Sequence, residues 1–408
     1  MDTTLHTTRD ALAESVAKLA AARPVVVDVL PAGAVSAHHA NGGVSHAGPP
    51  IAPQRMCAPM RAALGAALTL EGIAPTAAEA LALLEDEQIA LRPNHELGGV
   101  GPMVGVITAS MPVFVARDEA TGRTAWTPIN EGSGRVLRYG ADGPDVLERL
   151  AWMRDVLAPA LRVAIDRTGP LDLMPLLTTS LLQGDEAHHQ TEIGTALTLE
   201  ALAPGLEDAD PSVATFIAGN GQFFLNLAML HSKLALDCAS GVPGSPLLTA
   251  IARNGVEVGI RVSGTDDAWF SGPAAAPSPQ RLFAGYTPAD MNPDLGDSAI
   301  VEAYGLGALA VAASPAAAYH VGIEPEDVAG IQGSLAAIAA GHSSDVAMPD
   351  GPAILGVDVR AVVATGIRPP VHTGIAHREP GVGQIGAGVT HPPMNAFHEA
   401  VAALDPAS

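Results

Sequence analysis

Apolar residues recur every three or four positions in residues 8–22, where Leu12, Val16 and Leu19 share one face, so this segment is expected to be helical. Pro24 stops it, and the apolar run VVVDVL (residues 25–30) is expected as a short buried strand. Residues 54–71 repeat the helical spacing through Met56, Met60, Leu64 and Leu68, with Gly72 as the stop. A second helix is expected over residues 76–87, where Thr76 and Glu79 have capping-box spacing. Residues 89–93 and 103–118 suggest strands. The longest periodic run is residues 145–166, carrying Val146, Leu150, Met153, Leu157 and Leu161. Helical patterns follow over 172–182, 192–202 and 209–237, and VEVGIRV (residues 256–262) alternates like a strand, with Asn254-Gly255 as its turn.

Helices and strands mix without a regular βα period, which argues for an α+β, multi-domain fold with mixed sheets, packed helices and a small helical domain. Three regions are expected: residues 1–140 as an N-terminal α/β region, 141–240 as mainly helical, and 241–408 as an α+β region with Gly-rich loops. SGPAAAPSPQ (residues 271–280) is the best linker candidate.

The formal charge is −22 and no Lys/Arg cluster exists, which excludes a nucleic-acid footprint and disfavours anionic lipid. An anionic substrate would need local arginines. Cys57 and Cys238 are the only cysteines, so no disulfide framework is implied. No signal peptide or long uninterrupted apolar stretch is evident, and a cytoplasmic enzyme is expected.

Six glycine-punctuated polar clusters remain: residues 41–50, 130–140, 184–189, 252–264, 294–300 and 372–388. Glycine admits close backbone approach and positive φ, and polar neighbours supply charge, so one composite site or shared interface is expected. GDEAHH (residues 184–189) places Asp185, Glu186 and His188 together for acid–base chemistry, without the H-E-x-x-H spacing of a zinc site. GVGQIG (residues 381–386) fits G-x-G-x-x-G but lies near the C-terminus with HREP before it. A backbone cradle for phosphate or carboxylate, or a structural turn, fits that context better than a dinucleotide fold. The chain has neither a P-loop nor a G-x-S-x-G elbow.

Twelve collinear motifs span residues 22–402: SHAGPPI, VGPMVG, SMPVF, NEGSGRVLRYGA, RLAWM, GDEAH, GNGQFFLNLAM, ARNGVEVGIRVSG, WFSGPA, GDSAIVEAYGLG, GVDVR and TGIAHREPGVGQIGAG. In this order they resemble the AllG family of oxamate carbamoyltransferase subunits. The resemblance implies an α+β fold with a small helical and two mixed domains. It also implies conversion of oxalurate and phosphate to oxamate and carbamoyl phosphate in ureide (allantoin) breakdown. The partners implied are small anions (oxalurate, carbamoyl phosphate, phosphate) and other carbamoyltransferase subunits, and a homo-oligomer is expected. No cofactor, metal, nucleic acid or membrane is expected. One departure stands out: the family's GDEAH usually continues with Asn and Arg, whereas His189 and Gln190 follow here.

Carbamoyl transfer to phosphate needs anion donors, an oxyanion stabiliser and an acid–base group. On chemical grounds Asp185, Glu186 and His188 are expected to be catalytic. Arg378 and the amides around Gly381, Gly383 and Gly386 are expected on phosphate or carboxylate, and Arg253 and Arg261 on the oxamate-like end. His46, Asn130, Glu131, Asn254 and His377 complete the expected substrate-binding set. A ureide or cyclic-amide hydrolase, and a non-catalytic scaffold subunit, are the alternatives.

Overall fold

In the computed structural model, which describes residues 2–349 and 351–405, helices pack among several small sheets in a mixed α+β architecture. Met1, Asp350 and residues 406–408, which fall in the expected first and last regions, lie outside the described residues.

The VVVDVL run becomes the Pro24–Pro31 strand, which pairs antiparallel with Pro112–Asp118 on one side and with Leu171–Asp172 on the other. Thr124–Pro128 completes this four-stranded sheet. A second sheet runs Leu295–Gly296, Leu248–Asn254, Glu257–Val262, Phe270–Pro273. A third is built from Gln280–Leu282, Gln384–Thr390 and Val371–Ala376.

The Phe223–Cys238 helix is the hub. It packs on the first sheet, on Leu248–Asn254 and on the short Ile300–Tyr304 helix, and is buried along nearly its whole length. With Pro211–Ala218, of which only Val213 and Ile217 are buried, it forms a bent pair (76°) whose combined length and composition could span a membrane; among the described residues no single helix is long and apolar enough to cross one. One apolar cluster runs from Leu19 to Ala400 and includes side chains from all three expected regions, while Val311, Val321, Val389 and their neighbours form a second, smaller one.

Thr76 caps Ala77–Glu85 by accepting the Glu79 amide at 3.3 Å, as the T-x-x-E spacing anticipates. Three segments differ from expectation. The 145–166 run is broken by a π-helical turn, Met153–Leu157, between Pro144–Trp152 and Ala158–Thr168. The i→i+5 bonding of such a turn leaves no signature in residue type, so apolar spacing alone does not reveal it. Only Pro112–Asp118 of residues 103–118 is strand; Met103 has φ +55° and the Gly105 amide turns back onto the Pro102 carbonyl at 3.1 Å. The expected linker is pinned at both ends, with the Ala274 amide on the Val256 carbonyl (2.9 Å) and the Ser278 amide on the Val389 carbonyl (2.8 Å). It bridges the second and third sheets.

Candidate active site

Four of the six polar clusters, residues 130–140, 184–189, 294–300 and 372–388, contribute to one small cleft. Pro102 and Met103 come from VGPMVG, Arg138 and Tyr139 from the RYG turn, and His188 and His189 from GDEAHH. Gln222 precedes the central helix, Ser298 follows Asp297, and Gly374 and Gln384 come from the third sheet.

Beneath His188 lies a crossed arrangement of two buried carboxylates and two histidines. His188 Nδ1 is 2.7 Å from Glu302 Oε1 and 2.9 Å from Oε2, while its backbone amide donates to Glu186 Oε2 at 3.2 Å. His372 does the reverse: its Nδ1 is 2.9 Å from Glu186 Oε1, and its amide donates to Glu302 Oε1 at 3.2 Å. Glu186 also accepts the amides of His189 (2.7 Å) and Gln190 (2.9 Å). Burial pushes its pKa up, but the hydrogen bond and charge of His372, with the neighbouring His189 and His188, outweigh this and bring it down to about 2. Glu186 is therefore an anion at neutral pH. Burial takes the His189 ring the other way, down to about 4.

Local geometry makes this possible. Gly307 has φ +58°, and a side chain there would collide with the Glu302 carboxylate. Without one, the Gly307 amide reaches the Glu186 carbonyl at 2.7 Å and the Ala308 amide reaches Glu302 at 3.1 Å. Ala187, between Glu186 and His188, has φ +71°, which is unusual for a residue with a Cβ.

Arg138 is buried, with its guanidinium on the Asn130 side-chain oxygen and its ring neighbour Tyr139 5.3 Å away. Its Nε has no protein partner. Glu131 accepts the amides of Leu137 (2.7 Å) and Arg138 (3.0 Å), which shapes the turn that presents the guanidinium, and burial raises its pKa. Tyr139 donates to Gln384 at 2.9 Å, and Gln222 donates to the His189 carbonyl at 2.9 Å.

Ser298 connects the cleft to a buried ion pair: Arg253 Nη2 is 3.2 Å from Ser298 Oγ, and Arg253 Nε is 3.2 Å from Asp294. Asp294 in turn accepts from Thr373 at 2.9 Å and from Thr390. Asp297 accepts the amides of Gly48 (2.8 Å) and Gly101 (3.1 Å) and the Asn94 side chain (2.9 Å). Burial nonetheless raises its pKa to about 6.

The other expected residues sit as follows. Asp185 is buried below the cleft, accepts the Gly194 amide at 2.8 Å, and is raised by burial to about 6. Asn254 shapes its hairpin by accepting the Val256 (3.0 Å) and Glu257 (2.7 Å) amides. His46 is buried with Nδ1 on the Ala47 carbonyl (2.7 Å), and burial draws it down to about 4. Asn130 links Arg138 to Asn226. Arg261 lies in a different cleft. Arg378 is exposed, with Nη1 on the Ala289 carbonyl (3.1 Å), and the His377 ring accepts the Glu379 amide (2.9 Å). Gly381 and Gly383 make the turn between two strands, and Gly386 lies in Gln384–Thr390, where a side chain would strike the Arg281 carbonyl. Those glycines serve strand packing there, and the cleft draws on Gln384 from this segment.

Glu302, Ser298, Gln222 and Gln384 were outside the expected set, whereas His372 opens the expected 372–388 cluster. Glu302 carried a signal, since it is the single charge in the apolar run AIVEAYGLG. Among the described residues, no group of three or more His, Cys, Asp or Glu is arranged to hold a metal ion.

Comparison with known proteins agrees with this architecture. The AllG family profile, described as oxamate carbamoyltransferase subunit AllG, matches residues 89–298. The chain is 40% identical over 395 residues to oxamate carbamoyltransferase subunit AllG of Escherichia coli (strain K12), covering 94% of each chain. It is 39% identical over 371 residues to the uncharacterized protein YahG of the same organism, covering 88% of this chain and 78% of YahG. A crystal structure of a conserved protein of unknown function from Enterococcus faecalis V583 superposes with a TM-score of 0.95 at 38% identity, covering 98% of both chains. With its motifs gathered around one cleft and this likeness running through nearly its full length, the chain belongs to the AllG family.

Proposed function

We propose that this chain is a subunit of an oxamate carbamoyltransferase and that the Arg138–His188 cleft is where its substrate binds. The observation that carries the reading is the placement of Arg138 and of His188, with His188 Nδ1 held by Glu302, in the walls of one small polar cleft. In the reaction, a phosphate oxygen attacks the carbamoyl carbon of oxalurate. The C–N bond to the oxamate nitrogen breaks, and that nitrogen takes up the proton that phosphate gives up. Arg138 holds the carboxylate end of the ureido acid. Glu302 fixes His188 with Nδ1 occupied, leaving Nε2 to carry the proton from phosphate to the leaving nitrogen. Ser298 Oγ and the side-chain amides of Gln222 and Gln384 supply neutral hydrogen-bonding groups toward the developing oxyanion. Glu186 acts as a fixed anion that positions His372 and the 187–190 turn.

The test is calorimetry of the purified chain with oxalurate, oxamate and carbamoyl phosphate, alongside Arg138→Met. Binding of at least one of them, weakened tenfold or more in the variant, supports the reading. No binding by a folded wild-type chain would instead favour a scaffold role, with the chemistry in partner subunits. Product formation that persists without phosphate would point to the hydrolase.

A further inference from the structure

A second polar cleft, of about 930 Å³, opens on another part of the molecule between the C-terminal half of the Phe223–Cys238 helix, the Glu257–Val262 strand and the Asn94–Leu97 turn. We propose that it is an oxyanion-binding site, in which Lys233 and Arg261 take a phosphate or carboxylate group and Asp267 is the internal carboxylate that the ligand displaces.

Two of its cations are buried. The chain has only two lysines, Lys18 and Lys233, and Lys233 is 2% exposed in this wall. Its ammonium meets Asp237 at 2.7 Å and the His95 carbonyl at 3.4 Å, which leaves a third donor position open. Arg261, also mostly buried, lies against the Trp269 ring at 5.6 Å. Desolvation draws its pKa down, as expected of a guanidinium whose charge is incompletely balanced.

His95 adds an unpaired polar ring. It is 3% exposed and lines the cleft, yet neither ring nitrogen has a hydrogen-bond partner. The nearest carboxylate oxygen, on Asp297, is 3.8 Å from Nε2, beyond hydrogen-bond reach. A buried ring left unpaired calls for a missing partner. Burial, then the charges of Lys233 and Arg261, hold this ring well below the ordinary imidazole range. Lys233 and Arg261 both lie beside this ring in the cleft wall.

The acidic partners are unevenly held. Three carboxylates, Asp237, Asp266 and Asp267, face the cations Arg123, Lys233 and Arg261. Asp237 is fixed on the helix beside Lys233, whereas Asp266 and Asp267 sit on an exposed turn. The Asp267 side chain is 95% exposed even though its carboxylate rests on the 11%-exposed Arg261. An ion pair with one partner in water is weak and easily exchanged. A ligand oxyanion reaching Arg261 and Lys233 together gains two cations where Asp267 has one.

The test titrates the full chain with inorganic phosphate and, separately, oxalate by calorimetry, comparing wild type, Asp267→Ala and Arg261→Met. Asp267→Ala is a surface change that leaves the fold intact. The expected result is that Asp267→Ala tightens binding of at least one anion by about two- to fivefold, the worth of a surface ion pair, and that Arg261→Met loses that gain. Phosphate alone responding identifies a phosphoryl ligand, and oxalate alone a carboxylate. Identical affinities for both anions in wild type and Asp267→Ala would overturn the proposal. The comparison does not involve Arg138 or His188, so its failure is separate from failure of the carbamoyltransferase reading.

Discussion

Glu186 and Glu302 hold the same two histidines in opposite senses: Glu302 takes the His188 ring and the His372 amide, and Glu186 takes the His372 ring and the His188 amide. Neither ring can turn without losing its carboxylate, while the backbone amide of each histidine ties it to the other one. The arrangement gives His188 one tautomer and one orientation before any substrate arrives.

Changing Glu302 to Gln should therefore remove catalysis more than it removes structure. The amide oxygen can stay at the Oε1 position and still accept the Ala308 and His372 amides, but the NH₂ group then faces His188 Nδ1 and no longer sets its tautomer. A loss of roughly 10²-fold or more in kcat is expected in the assembled enzyme, with about 1–3 kcal/mol of destabilisation. Steady-state kinetics and urea unfolding measure the two separately. Unchanged kcat would remove His188 from the proposed proton path.

Arg138→Lys tests the anion role. Lysine keeps the charge but loses the planar fork and the contact with Asn130. The expected outcome is a KM for the ureido acid raised about tenfold, from the loss of a paired charged hydrogen bond, with a smaller change in kcat. A variant with wild-type KM would place the substrate carboxylate elsewhere.

Gly194→Ala should destabilise the protein, against helix propensity. Gly194 lies inside the Glu192–Leu202 helix, where alanine is intrinsically favoured. A Cβ there would collide with the Phe224 ring on the central helix. Overpacking of about 1–3 kcal/mol outweighs a propensity gain of about 1 kcal/mol. Equilibrium denaturation reads the sign directly.

Stability should fall as pH drops from 7 to 5. Burial pulls His39, His46, His189 and His391 down to about 4 and His231 to about 3. The unfolded chain takes up protons at these rings near pH 6.5 while the folded one does not, so their contribution is present above 6.5 and is lost toward pH 4. Asp185 and Asp297, both raised to about 6, act oppositely, since the folded state takes up their protons first below pH 6. Five histidines outweigh two aspartates. Calorimetric Tm across pH 5–7.5 should rise with pH, and a flat or falling profile would contradict the burial of these rings.

Breaking the Arg253–Asp294 pair should be costly. Both side chains are almost fully buried, and Asp294 also receives Thr373 and Thr390. Asp294→Asn leaves the Arg253 charge unpaired in the interior, so a loss of about 3–5 kcal/mol is expected. Thermal unfolding of the variant checks it, and a loss under 1 kcal/mol would show that water reaches the pair.

Much of the local structure was legible from residue order. The Pro24–Pro31 strand, the Thr76 cap and the Glu192–Leu202 helix follow from apolar runs, capping chemistry and 3.6-residue spacing, all of which act over a few residues. The π-turn at Met153–Leu157 was not legible, because no residue type marks an i→i+5 turn inside an otherwise helical run. Likewise, the glycine run of residues 381–388 has the composition of an anion cradle, but strand pairing claims Gly386 and Gly388.

The sequence by itself determined the family, through collinear motifs, and the local elements, through short-range periodicity. It also put Glu186 and His188 side by side in one short polar cluster. Only the tertiary structure decided their partners: His188 meets Glu302 across 114 positions, and His372 meets Glu186 across 186. Such pairs form because packing of the central helix brings distant loops together. No local preference encodes which buried carboxylate a histidine will face.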